Sequence, residues 1–260
     1  MQAASQPGLA PQPEPAPCPD PALVSAVCAD APVVVVCGHY GVGKTNLALN
    51  LALACAAAGE QVTLADLDLV NPYFRSSDYP EVLARAGVRL AAPTFAGTTL
   101  DTPSLGGQLV TEIELALSHQ PGDGPRRRLI VDVGGDDAGA YALGGYADAL
   151  RGPGVRLLYV VNAFRNLTQE PGEAAAVLHE IEAASHLAAC GVVNNSHLCD
   201  ETAEKDVETG RAWARSVADE LALPLVATCV PARLAKTCNY REAGSEPLVV
   251  VGRYVNTPWQ

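Results

Sequence analysis

Residues 38–45 read Gly-His-Tyr-Gly-Val-Gly-Lys-Thr, a glycine-rich turn fed by the apolar run Val33–Cys37 and followed by the alanine- and leucine-rich stretch Lys44–Ala58. A strand, a tight loop and a helix in this order leave few folds open. The spacing Gly38-x4-Gly43-Lys44-Thr45 fits the P-loop pattern, in which backbone N–H groups wrap phosphate oxygens, the lysine neutralises the β/γ oxygens and the hydroxyl residue ligates Mg²⁺. Glycine is required because a side chain would block that approach or forbid the positive-φ turns. The helix that starts at Lys44 adds its N-terminal dipole. Candidate nucleotide-binding residues are therefore Gly38, Gly41, Val42, Gly43, Lys44, Thr45 and Asn46, with Thr45 also a metal ligand.

The rest of the chain repeats the alternation of short apolar runs and longer helix-like segments. Strands are expected at Val33–Cys37, Val62–Asp66, Leu129–Val133, Val155–Val161, Ala188–Asn194, Leu225–Val230 and Leu248–Val251. Helices are expected at Lys44–Ala58, Glu81–Ala86, Leu109–Ser118, Ala140–Leu150, Glu173–His186 and Ala203–Leu221. Apolar runs without polar alternation suit strands buried on both faces. The expectation is an α/β, doubly wound, mostly parallel sheet with helices on both faces. Residues 1–31, rich in proline and alanine, read as a disordered lead, and 32–260 as a single domain. The Thr/Gly/Pro-rich stretch Pro93–Gly107 is long for a connection and reads as a lid or partner loop.

Composition narrows the partners. The formal net charge is −12, which disfavours nucleic acid and anionic lipid. The basic triplet Arg126–Arg128 reads as a solvated loop entering a strand. Eight cysteines occur without a C-x-x-C pair, so a disulfide framework or zinc site is not expected, and Cys37, Cys55, Cys190 and Cys229 read as small core residues. No apolar segment reaches membrane-spanning length and no basic leader precedes an apolar stretch, so a reducing, cytoplasmic setting without membrane insertion is expected.

A P-loop needs carboxylates at neighbouring strand ends, and two stretches offer them. In "VTLADLDLVNPYFRS" (62–76) an apolar run ends in Asp66-Leu-Asp68, whose alternation should put both carboxylates on one face. In "RLIVDVGGDDAGA" (128–140) another ends in Asp132, followed by Gly134-Gly135. Asp132 reads as a Walker B carboxylate and Gly135 as a backbone donor to the γ-phosphate.

With these residues in place, the chain resembles the MinD/ParA-type branch of P-loop ATPases, the CobQ/CobB/MinD/ParA nucleotide-binding domain of the SIMIBI class, over roughly residues 32–231. The resemblance implies ATP and Mg²⁺, slow hydrolysis, an unidentified partner protein and a homodimer. It implies that Asp68 orients the attacking water and helps hold Mg²⁺ with Asp132, that Asn195, or alternatively Asn194, reads the adenine edge, and that Pro231 lies over the base. The family's loop typically begins with a lysine that reaches a partner subunit's phosphates. Here those positions hold His39-Tyr40, which supply no constant positive charge. Arg75 and Arg165 are candidate replacements. A small-molecule enzyme like dethiobiotin synthetase or CobB, with a pocket at 94–108, and a nucleotide-responsive scaffold with little hydrolysis are the competing expectations.

Overall fold

The computed structural model describes residues 19–68, 75–92, 106–235 and 246–255. Eight strands form one sheet: β1 (Val33–Cys37), β2 (Gln61–Leu67), β3 (Arg89–Ala91), β4 (Arg127–Val133), β5 (Val155–Val161), β6 (Gly191–Asn194), β7 (Leu225–Pro231) and β8 (Leu248–Val251). Their order is β3-β2-β4-β1-β5-β6-β7-β8, and every pairing is parallel. Helices are α1 (Pro21–Leu23), α2 (Lys44–Ala57), α3 (Pro80–Arg85), α4 (Gly106–Leu117), α5 (Asp137–Gly144), α6 (Ala147–Leu150), α7 (Pro171–Ser185) and α8 (Glu204–Glu220).

Alternation along the central strand shows why the sheet must be covered twice. Val33, Val35 and Cys37 of β1 enter a core shared with α4 to α8, while Val34 and Val36 enter the opposite core, shared with α1, α2 and α3. Both faces are dry, so the expected doubly wound α/β architecture stands, and the sheet is wholly parallel. β1 lies at its centre between β4 and β5. Open α/β sheets bind ligands at the carboxyl ends of such strands.

Several local expectations need correction. Residues 19–31 are not a loose lead: α1 runs into a π-helical turn, Val24–Cys28, and Leu23, Val27 and Cys28 are fully buried where this segment packs against α2, β7 and β8. Asp20 fixes this segment by accepting from Ala22 N (2.9 Å) and from Val250 N of β8 (2.7 Å). Its few apolar residues are spaced to fill one groove, which composition alone hides. Arg128 is not solvated. It is 1 % exposed and forms a two-pronged ion pair with Glu60 (2.8 and 2.7 Å), while also donating to the Ala31 carbonyl. The expected helix Ala140–Leu150 divides into α5 and α6 at Gly144-Gly145, residues of low helix propensity. β6 starts only at Gly191, leaving Cys190 exposed, whereas Cys37, Cys55 and Cys229 are buried. The three-residue β3 was too short to read from periodicity. Residues 1–18 and the stretch 94–105, with the pocket expected around it, lie outside the described residues. Among those described, no helix is long and apolar enough to cross a membrane.

Candidate functional site

The register of the central strands sets the site. Val36 pairs with Asp132, Cys37 with Tyr159, and Asp66 with Asp132. The loop after β1 therefore leaves the sheet at the level where β2 and β4 present their carboxylates.

Gly43 caps α2 in the left-handed region (φ +88°), and a Cβ there would lie 2.4 Å from Asn195 Nδ2. Only glycine satisfies both conditions. Lys44 is buried, with its Nζ donating to the His39 carbonyl (3.0 Å) across the loop it follows. Burial pushes its pKa down, opposed chiefly by the charges of Asp132 and Asp68. Val42 is buried beneath the loop, and Thr45 is half-buried at the start of α2. Asn46 turns away: its side chain donates to Gly252 O (2.8 Å) and accepts from Tyr254 N (2.9 Å), holding the segment after β8 rather than facing the phosphate loop. Asn50, one turn on, exchanges two further hydrogen bonds with Gly252.

Asp132 is 1 % exposed. Its Oδ2 accepts from Ser76 Oγ (2.5 Å), but Oδ1 has no hydrogen-bond partner among the described residues. Burial pushes its pKa up to about 7, aided by Asp66; Ser76, Lys44 and Thr45 act in the opposite direction. An orphaned, buried carboxylate oxygen beside a lysine and a threonine is costly unless something cationic or protic completes it. The donor set fits a hard cation such as Mg²⁺, which takes one or two carboxylates and fills its shell with waters and phosphate oxygens. Among the described residues, no group of three or more His, Cys, Asp or Glu could hold a metal ion.

Asp66 and Asp68 do not play equivalent roles. Asp66 is fully buried and accepts from Asp68 N (3.0 Å) and Ser77 N (3.0 Å), so it ties the end of β2 to the turn Ser76–Asp78. Asp68 is half-buried and faces Gly134, whose Cβ position would lie 3.3 Å from Asp68 Oδ1. Gly135 packs against the phosphate loop: a Cβ there would stand 2.6 Å from Lys44 Nζ and 2.7 Å from the Tyr40 Cα. Next to it, Asp136 caps α5 by accepting from Gly139 N (2.9 Å).

Of the two asparagines expected to read a base, Asn194 is 1 % exposed and is used inside the fold, its Oδ1 accepting from Ser196 N and Oγ (3.0 and 2.6 Å) and its amide donating to Thr228 Oγ1 (3.4 Å). It is not available to a base. Asn195 does reach the loop, but its amide braces the loop backbone, donating to Val42 O (2.8 Å). Pro231 ends β7, separated from β1 by β5 and β6. Arg75 begins the turn Ser76–Asp78, its backbone N–H bonded to Asp78 (2.9 Å). Arg165 lies over the loop, its guanidinium carbon 3.1 Å from the Gly41 Cβ position.

The sequence reading missed Ser76, the hydroxyl on Asp132, and His197, whose Nε2 lies 3.2 Å from the Gly43 Cβ position. Burial pushes the His197 pKa down to about 4, and the charges of Arg165 and Arg253 add to this. The ring is neutral at pH 7, and its Nδ1 accepts from Cys199 N (3.2 Å), which leaves the proton on Nε2. The polar run Asn194–His197 directly after a strand was the available signal.

No protein-family model and no curated protein matches the chain. Among solved structures it is similar to the cell division protein FtsY of Thermotoga maritima, with 16% identity, a TM-score of 0.50, and coverage of 75% of this chain and 62% of that one. It also aligns with the signal recognition particle 54 kDa protein of Aeropyrum pernix K1 in complex with GDP (17% identity, TM-score 0.49, covering 75% of this chain and 40% of that one). A third match is the BceF tyrosine kinase domain (22% identity, TM-score 0.41, covering 63% and 69%). The chain thus spans less than two thirds of the FtsY and signal recognition particle chains. The likeness to FtsY extends to the fold, an α/β fold of the P-loop NTPase kind.

Proposed function

We propose that this chain is a Mg²⁺-dependent, ATP-binding switch of the MinD/ParA type that hydrolyses its nucleotide slowly and signals its state to a partner protein. The observation that carries the reading is the unpartnered Oδ1 of buried Asp132 beside Lys44 and Thr45, at the mouth of a loop whose sequence fits phosphate. Amides of Gly41 to Thr45 would bind the phosphates and Lys44 would neutralise them. Thr45, Asp68 and Asp132 would hold Mg²⁺, which supplies charge neutralisation at the phosphate oxygens. Asp68 would orient the attacking water. The segments after Asp68 and Asp132, linked where Ser76 donates to Asp132, are the ones a γ-phosphate would rearrange and a partner would read.

The test is nucleotide binding and hydrolysis by the wild type, Lys44→Ala and Asp68→Ala, with ATP and GTP side by side. Lys44→Ala is expected to lose binding, and Asp68→Ala to bind without turnover. Equal turnover in all three would exclude the site, and a preference for GTP would replace ATP in the reading. Binding without turnover by the wild type, even beside its partner, would select the scaffold instead.

A further inference from the structure

We propose that Arg165 acts in cis as the cation that offsets the charge developing on the transferred phosphoryl group, so that a single chain carries its own arginine for hydrolysis. This rests on the nucleotide reading above and adds a catalytic residue to it.

The backbone that carries Arg165 is fixed from two strands. Asn162, fully buried at the end of β5, accepts through its side chain from Phe164 N (3.0 Å) and His197 N (3.4 Å), and its backbone carbonyl accepts from Arg165 N (3.3 Å). From β6, Ser196 Oγ accepts from Ala163 N (3.0 Å) while donating to Asn194 Oδ1 (2.6 Å). Thr168 Oγ1 donates to Arg165 O (3.5 Å) and closes the turn. A turn held this way aims one side chain and little else.

That side chain runs along the phosphate loop. Its Cζ, Nε and Nη1 lie 3.1, 3.2 and 3.4 Å from the Gly41 Cβ position. Arg165 makes no ion pair among the described residues, in contrast to Arg128 with Glu60 or Arg211 and Arg215 with Glu246. A half-buried guanidinium left without a carboxylate is a seat for an anion. The neighbouring imidazoles cannot take its place, since burial lowers the pKa of His39 and that of His197 alike.

A Mg²⁺-bound nucleoside triphosphate retains about two negative charges, of which Lys44 offsets one. In the hydrolytic step the water oxygen bonds to the γ-phosphorus as the β,γ-bridging P–O bond breaks. The nucleoside diphosphate leaves with that electron pair, and the water protons end on inorganic phosphate and solvent. Charge shifts toward the bridging and equatorial oxygens as this happens, and a preset guanidinium at Gly41 meets it without reorganisation.

The experiment compares wild type, Arg165→Lys and Arg165→Ala by single-turnover hydrolysis of Mg²⁺–ATP, by titration with a fluorescent ATP analogue, and by binding of ADP with and without aluminium fluoride. Arg165→Ala is expected to lower the hydrolysis rate by about 10²-fold or more, in line with arginine fingers elsewhere. Its ATP affinity should change less than about tenfold, and aluminium fluoride should no longer tighten ADP. Arg165→Lys should retain part of both effects. An unchanged rate and an intact aluminium fluoride complex in Arg165→Ala would overturn the proposal, as would a rate loss matched by an equal loss of ATP affinity. If the wild type binds but does not cleave, the aluminium fluoride response alone decides. If the wild type binds neither ATP nor GTP, the nucleotide reading itself fails and takes this role with it.

Discussion

Asp66 and Asp132 face each other in register on β2 and β4, both buried, and the charge of Asp66 helps raise the pKa of Asp132. Two carboxylates side by side in a dry sheet are held by what surrounds them: two backbone N–H groups on Asp66, and Ser76 with Lys44 nearby on Asp132.

Asp132→Asn should therefore stabilise the nucleotide-free protein, by about 1 kcal/mol or more at pH 8, because an amide avoids burying a charge. The sign follows from the shift. The folded-state pKa, about 7, lies above the unfolded value near 3.8. Stability contributed by the protonated carboxyl is full at low pH and is lost as pH rises through 7. The stability gap between variant and wild type should grow from pH 4 to about 7 and level off above it, as read by urea denaturation at each pH. Stabilisation by Mg²⁺–ATP should disappear in the variant.

Gly135→Ala places a methyl group 2.7 Å from the Tyr40 Cα and 2.8 Å from the Tyr40 N, backbone atoms that cannot step aside as the end of Lys44 can. Overpacking of this kind costs about 1–3 kcal/mol. The phosphate loop must shift to relieve it, so the nucleotide Kd should rise at least severalfold, which calorimetry can read alongside the melting temperature.

Asn195→Ala removes the donor to Val42 O and leaves that carbonyl without its brace. A loss of about 1–2 kcal/mol in stability is expected, with weaker binding of ATP and GTP in equal proportion. A change in the ratio of the two affinities would instead mean that Asn195 reads the base.

Leu23→Ala tests the N-terminal segment. The residue is fully buried between the π-helical turn and α2, and such truncations cost about 2–5 kcal/mol. Removal of residues 1–18 should leave the melting temperature unchanged, whereas removal of 1–31 should lower it steeply. Equal melting of both truncations would make the segment dispensable.

The residues that were easiest to read were those whose chemistry is local. Gly43 and Lys44 announce a loop through spacing alone, and the runs in β1, β4 and β5 announce buried strands because consecutive apolar residues leave no polar face. What stayed hidden depends on contacts between distant parts of the chain. Ser76 meets Asp132 across 56 residues, and Asn46 meets Gly252 across 206. Asn194 and Asn195 are adjacent, yet the strand end turns one into the sheet and the other onto the loop, a difference set by tertiary packing. Leu23 and Val27 carry no signal against a proline-rich background until the groove they fill is known.

The two amides of Asn46 and Asn50 give the segment after β8 a mechanical address. Lys44 and Asn46 are two residues apart on one helix, so a pull on residues 252–255 arrives at the glycine-rich loop without crossing the sheet. The segment after β8 and the loop 38–45 thus share one helix as their anchorage.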